Sequence, residues 1–87
     1  VMKELEKSLK ALANRRRLAI LKHLKKNKES SVGEIASDIH LSFKATSKHL
    51  GILASADIIE KDQRSLRVFY RLASSIPASV RSILTIL

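Results

Sequence analysis

Between residues 42 and 48 the chain carries Ser42, Phe43, Lys44, Ser47 and Lys48, side chains that together donate hydrogen bonds to oxygen and offer one flat apolar ring. If a helix begins at Ser42, its hydroxyl and the amides after it suit a phosphate. Lys44 and Lys48 suit guanine edges or phosphates, Ser47 donates to either, and Phe43 can meet a thymine methyl or pack on a neighbouring helix. A second basic group, Lys61, Arg64, Arg67 and Arg71, is interrupted only by Asp62. At the tip of a hairpin, Arg64 with Lys61 and Arg67 beside it could enter or straddle a minor groove. A third group, Arg15, Arg16 and Arg17, opens a helix and either reaches flanking phosphates or stays solvated; Arg17 is the candidate DNA contact.

Catalysis has no comparable set. His23, His40 and His49 lack partners at metal-ligand spacing, and the only glycines, Gly33 and Gly51, make no phosphate loop. Ser47 and His49 fall on different faces of one helix, badly placed as nucleophile and base. His49 is expected to hydrogen-bond inside the fold. Cysteine is absent, which removes disulfides, thiolate metal sites and thiol redox switching. The chain is expected to be no enzyme and to need no cofactor or metal.

Bulk charge points the same way. A net charge of +9 on 87 residues favours a polyanionic partner, nucleic acid ahead of an anionic membrane. Between Lys7 and Lys28 there is no acid, while Arg15, Arg16, Arg17, Lys22, Lys25, Lys26 and Lys28 all fall there. No signal peptide and no long apolar run is visible, so an intracellular, soluble protein is the expectation.

Helices must position most of these groups. Leu5, Leu9 and Leu12 form one stripe over 2–12. Asn14 can cap a helix over 15–26, with Leu18, Ile20, Leu21 and Leu24 inward; 27–29 is a polar connection. Ser31 and Glu34 have capping-box spacing, opening a short third helix with Val32, Ile35, Ala36 and Ile39 buried. It ends near His40; Leu41 is a turn, and Ser42 caps a fourth helix over 43–55. Residues 31–55 therefore make a helix-turn-helix. On its second helix Thr46, His49, Leu50 and Leu53 point inward and Phe43, Lys44, Ser47, Lys48 and Gly51 outward.

The period then changes. Ile58 to Lys61 and Leu66 to Leu72 read as strands joined by a polar turn, Asp62 to Ser65, giving a basic hairpin over 58–72. Leu66, Val68, Tyr70 and Leu72 share one face. Pro77 in a first turn opens a last helix over 77–87, striped by Ile76, Val80, Ile83, Leu84 and Leu87. With three aromatics the core is thin, so Val80, Ile83, Leu84 and Leu87 are expected to meet Leu5, Leu9 and Leu12 in a dimer interface; the alternative is packing within one chain. The chain ends uncapped on an apolar residue, consistent with a piece of something longer.

ALANRRRLAIL (11–21) resembles the opening of the ArsR-type winged-helix repressors. SVGEIASDIHLSFKATSKHLGIL (31–53) resembles their helix-turn-helix, Ser47, His49 and Leu50 included, and VFYRL (68–72) the end of their wing. The likeness covers about 5–72. It implies a mainly α fold with a small β-hairpin, a winged helix-turn-helix in the order α-α-α-α-β-β-α. It further implies a homodimer through the first and last helices, with the fourth helix in the major groove of double-stranded DNA. Such proteins usually repress promoters and release them when a metal or other signal binds. Three departures stand out. Ser31 and Gly33 occupy the place of the thiolate motif, the last helix has no His, Asp or Glu, and the wing turn lacks its glycine. The first two argue against metal response. The expectation is a single-domain, sequence-specific DNA-binding repressor over 1–87, its effector unknown. The alternative is a winged-helix module for protein contact or nonspecific nucleic-acid binding in a larger assembly.

Overall fold

In the computed structural model, which describes all 87 residues, two apolar-striped helices open the chain: α1 (Met2–Leu12) and α2 (Arg15–Lys26). A two-residue strand β1 (Ser30–Ser31) leads into α3 (Val32–Ile39) and α4 (Phe43–Ser55), followed by β2 (Ile59–Arg64), β3 (Arg67–Leu72) and α5 (Ala78–Leu84). The helix starts follow the caps. The Asn14 side chain accepts from the amides of Arg16 and Arg17 at 2.9 and 3.1 Å. Ser31 and Glu34 close a reciprocal capping box at 2.8 and 3.2 Å, and Ser42 accepts from the Ala45 amide at 3.1 Å. Each cap satisfies amides that a helix start leaves without partners. Pro77 stands at the N-cap of α5 rather than inside its first turn.

The stops are less ordinary. His40 and Asp57 both adopt left-handed backbone, φ 55° and 59°. After α3, the amides of Leu41 and His40 return to the carbonyls of Ala36 and Ser37; after α4, those of Ile58 and Asp57 return to Leu53 and Ala54. Both ends are Schellman motifs with a non-glycine residue in the left-handed position. The sharp stop at His40 sets the angle at which α4 leaves α3.

The sheet has one strand more than the expected hairpin. Its order is β1-β3-β2, with Ser30 opposite Tyr70 and Ser31 opposite Phe69. A two-residue strand carries no periodicity, which is why it escapes a reading by pattern. The turn is also shorter than expected: Asp62, Gln63 and Arg64 lie in β2, Arg64 pairs with Arg67, and only Ser65 and Leu66 remain between the strands. Ser65, φ 59°, takes the backbone that a glycine would usually supply. Asp62 reads as a turn residue in sequence, but in the ladder it pairs with Phe69 and reaches diagonally to Arg71 at 3.4 Å.

A single apolar cluster joins Ile20, Leu21 and Leu24 of α2, Ile35 of α3, Leu50 and Leu53 of α4, Ile58, Ile59 and Tyr70 beside and in the sheet, and Val80 and Leu84 of α5. Leu12, Val80 and Leu84, expected at a dimer interface, are thus inside the monomer's own core. Their burial follows from α5 crossing α1 and α2, which leaves those positions facing inward. Leu5 and Leu9 remain exposed, together with Met2 and Ile86, while Ile83 and Leu87 are half-buried.

His49 hydrogen-bonds inside the fold, to Arg17, as expected, but the buried histidine is His23. Its Nδ1 lies 2.7 Å from an Asp38 carboxylate oxygen and its Nε2 2.8 Å from the Ser30 hydroxyl, so one ring ties α2, α3 and β1 together. Both ring nitrogens have partners, as a buried imidazole needs. His49 is only half-buried.

Candidate nucleic-acid interface

With its N-terminus closed by Ser42 and its inner side fixed by Thr46, Leu50 and Leu53, α4 has no rotational freedom left. Phe43, Lys44, Ser47 and Lys48 are consequently all exposed on its outer side, as the helical spacing predicts. No acid occurs anywhere on α4, and neither Lys44 nor Lys48 forms an ion pair. This helix therefore presents its cations and hydroxyls to whatever comes from outside. A concave surface continues from Phe43 and Ser47 past Gly33 to Lys61, Leu66 and Arg67. The helix and the hairpin are thus two walls of one groove.

The hairpin is electrostatically different. Arg64, expected as a free cation at the tip, is gripped from two sides. Its terminal nitrogens donate to both carboxylate oxygens of Glu29 at 2.8 and 2.6 Å, and its Nε donates to Asp62 at 3.0 Å. Bidentate charge-assisted bonds of this kind are the strong ones. They hold the Glu29 and Asp62 carboxyls below their ordinary range, with the Arg64 hydrogen bond as the main cause in each, and push the Arg64 guanidinium further up. Arg71 is matched in the same way by Glu60 at 3.0 Å and Asp62 at 3.4 Å. Arg64 and Arg67 lie over the Phe69 ring at 4.8 and 4.9 Å. That leaves Lys61 and Arg67 as the hairpin's cations without a carboxylate, and Leu66, 96% exposed at the tip. The alternation puts Leu66 on one face with Val68, Tyr70 and Leu72, yet at the turn it stands clear of the core that buries Tyr70.

Arg17 is also engaged inside the fold. Its Nε donates to the Ala11 carbonyl at 2.6 Å and a terminal nitrogen to the Lys10 carbonyl at 3.1 Å, closing the end of α1. The other terminal nitrogen lies 3.3 Å from His49 Nδ1. Burial, and then the nearby charges of Arg17, Arg16 and Lys48, hold the His49 imidazolium below the ordinary histidine value of 6.5. No group of three His, Cys, Asp or Glu side chains stands together to hold a metal ion. No helix is long and apolar enough to cross a membrane.

A tight α3–α4 pair with a capped, acid-free α4, and a β-hairpin wing beside it, is a winged helix-turn-helix. Residues 14–61 match the sequence profile described as bacterial regulatory protein, arsR family. The chain belongs to that family. It is 45% identical over 67 residues, 77% of its length, to the transcriptional activator HlyU of Vibrio cholerae, and spans 61% of that relative. The solved structure of reduced HlyU from the same organism superposes with a TM-score of 0.82 at 37% identity, covering 99% of this chain and 86% of that one. The homodimeric winged helix-turn-helix DNA-binding domain from Mycobacterium bovis gives 0.84 at 29% identity, over 98% and 75%. The transcriptional repressor BigR from Xylella fastidiosa gives 0.81 at 29%, over 99% and 84%. Activators and repressors thus share this arsR-family scaffold, and its geometry does not encode the sign of regulation.

Proposed function

We propose that this arsR-family chain is a homodimeric, sequence-specific regulator of transcription that reads double-stranded DNA with the outer side of α4. Phe43, Lys44, Ser47 and Lys48 meet base edges and the Ser42 cap approaches a phosphate, while Lys61 and Arg67 of the wing hold the adjacent backbone. The carrying observation is the exposed, acid-free face of α4. Arg64 is better understood as a brace for the wing, since Glu29 and Asp62 already neutralise it. Arg17, Lys10 and Ala11 likewise make a structural set.

Dimerisation falls to the exposed side of α1, where Met2, Leu5, Leu9 and Ala13 line one concave apolar surface; Ile83 at the end of α5, and Ile86 and Leu87 beyond it, keep apolar surface exposed for the same role. The sequence reading of repression stays within this proposal, as does the absence of metal response and of catalysis; the proposed site of action is the cytoplasmic nucleoid of a prokaryotic cell. Selecting bound duplexes from a random pool tests the core of it. The expected winner is an inverted repeat, each half facing one α4; a pool that shows no enrichment overturns base reading.

A further inference from the structure

A second concave surface lies on the other flank of α4, away from the wing. Asn14, Arg15, Arg16, Ala19, Ile39, His40 and His49 line it, enclosing roughly 600 Å³. Four of these side chains carry N–H donors of a guanidinium or imidazole, and none is a carboxylate. The nearest acid along the chain, Asp38, is occupied by His23. Arg15 and Arg16 form no ion pair. The first amides of α2 are already satisfied by Asn14, so the side chains supply the donors here.

His49 is set for the same task. A guanidinium only donates, so the Arg17 contact at 3.3 Å makes His49 Nδ1 the acceptor. That fixes the tautomer with the proton on Nε2 and leaves the ring one N–H to give. Arg17 is itself held by two carbonyls of α1, which makes it a positioning residue for the imidazole. An oxygen-rich monoanion would meet two unpaired cations, Arg15 and Arg16, and a neutral imidazole donor, beside the apolar Ala19 and Ile39.

We infer that this cleft is a seat for a backbone phosphate of the duplex, on the strand that flanks α4 opposite the wing. The inference rests on the proposed DNA reading and extends it, because α4 then lies between two backbone clamps, Lys61 and Arg67 on one side and Arg15 and Arg16 on the other. Phosphate contacts carry no sequence information; the seat therefore sets affinity and register alone.

The test compares the wild-type chain with the double variant Arg15→Ala/Arg16→Ala on the selected duplex and on a scrambled one across a salt series. Removing one phosphate contact should flatten the dependence of log K on log salt by about 0.9. The expected result is a slope shallower by about 0.9–1.8 and an equal loss on both duplexes. Lys26→Ala, about 16 Å along the helix from Arg15, serves as the control and should leave the slope unchanged. Both arginines are exposed, so an unchanged thermal midpoint is expected. A steep wild-type slope that persists in the double variant overturns the seat but not DNA binding; a wild type with no slope overturns both. An equally flattened slope in Lys26→Ala overturns the seat in favour of bulk charge. Inorganic phosphate separates a free anion from the duplex. If it moves the His49 ring resonances while the double variant keeps the wild-type slope, the cleft serves a small anion and the inference falls.

Discussion

The wing and the fourth helix are both basic, yet their charges are organised in opposite ways. On the wing, Arg64 and Arg71 face Glu29, Asp62 and Glu60 at 2.6–3.4 Å. On α4 and its α2 flank, Lys44, Lys48, Arg15 and Arg16 have no carboxylate partner. A matched cation stiffens the molecule and offers little to an outside anion, since its field is already cancelled at short range. An unmatched one contributes nothing to the fold and releases a counterion when DNA arrives. The wing needs the first arrangement because a two-residue turn and a short hairpin are marginal alone. The helix needs no such bracing, as its inner side is locked into the core.

The largest effect should come from the unmatched side. Lys48→Ala removes an exposed cation from the centre of the reading face and is expected to weaken specific binding by about 1–3 kcal/mol, the range of a good base contact. A scrambled duplex should lose less, and Lys25→Ala should lose less on both. Fluorescence anisotropy on the two duplexes checks this; equal losses would mean that Lys48 touches only phosphate.

The wing gives the inverse experiment. Glu29→Gln removes the bidentate carboxylate of Arg64 and leaves that cation matched by Asp62 alone. Affinity for any duplex should rise, with the salt slope steeper by up to about 0.9. At the same time the wing should loosen, visible as faster amide exchange at Arg64 and Arg67. A tighter wing with unchanged affinity would remove the contrast between the two regions.

Acid separates them again, through stability. The folded His49 value lies below the ordinary 6.5, so the unfolded chain takes up that proton first. Its contribution is complete above 6.5 and is lost as pH falls through the lowered folded value. Glu29 and Asp62 are also lowered, from 4.5 and 3.8, so their contributions persist above those values and fade only below them. Denaturant midpoints followed from neutral pH downward should therefore show an α4-flank step first and a later carboxylate step, which the wing shares with Glu4, Glu34 and Asp38. His49→Gln should erase the first, and Glu29→Gln should shrink the second.

The contrast was only half legible in the sequence. Helix positions and caps were, because Asn14, Ser31 with Glu34, and Ser42 bond within three residues of themselves, and the helical period sorted α4 into faces. The hairpin's chemistry was not. The Glu29–Arg64 clamp joins residues 35 apart in sequence, and nothing local marks Glu29 as its partner. The same holds for His23, whose partners Ser30 and Asp38 come from different elements. The terminal stripes were legible, but which of their residues turn inward depends on how α5 crosses α1 and α2. Leu5 and Leu9 stay outside while Leu12, Val80 and Leu84 do not, a division that periodicity alone cannot make. The cleft of Arg15, Arg16, His40 and His49 had one local sign, three successive arginines without an acid nearby.

The smallest effect tests how far the reading face extends along α4. Gly51 is exposed on the outer side, in helical backbone, and a Cβ built there meets no atom within 4 Å. Nothing in the monomer therefore requires glycine. Gly51→Ala should raise stability by about 0.5–1 kcal/mol through the helix backbone alone. If the face ends at Lys48, duplex affinity should change by less than about two-fold, roughly 0.4 kcal/mol. A large loss of affinity in a more stable protein would instead place DNA backbone against Gly51. The unmatched region would then run further along α4 than its cations do, and close approach, rather than charge, would limit it there.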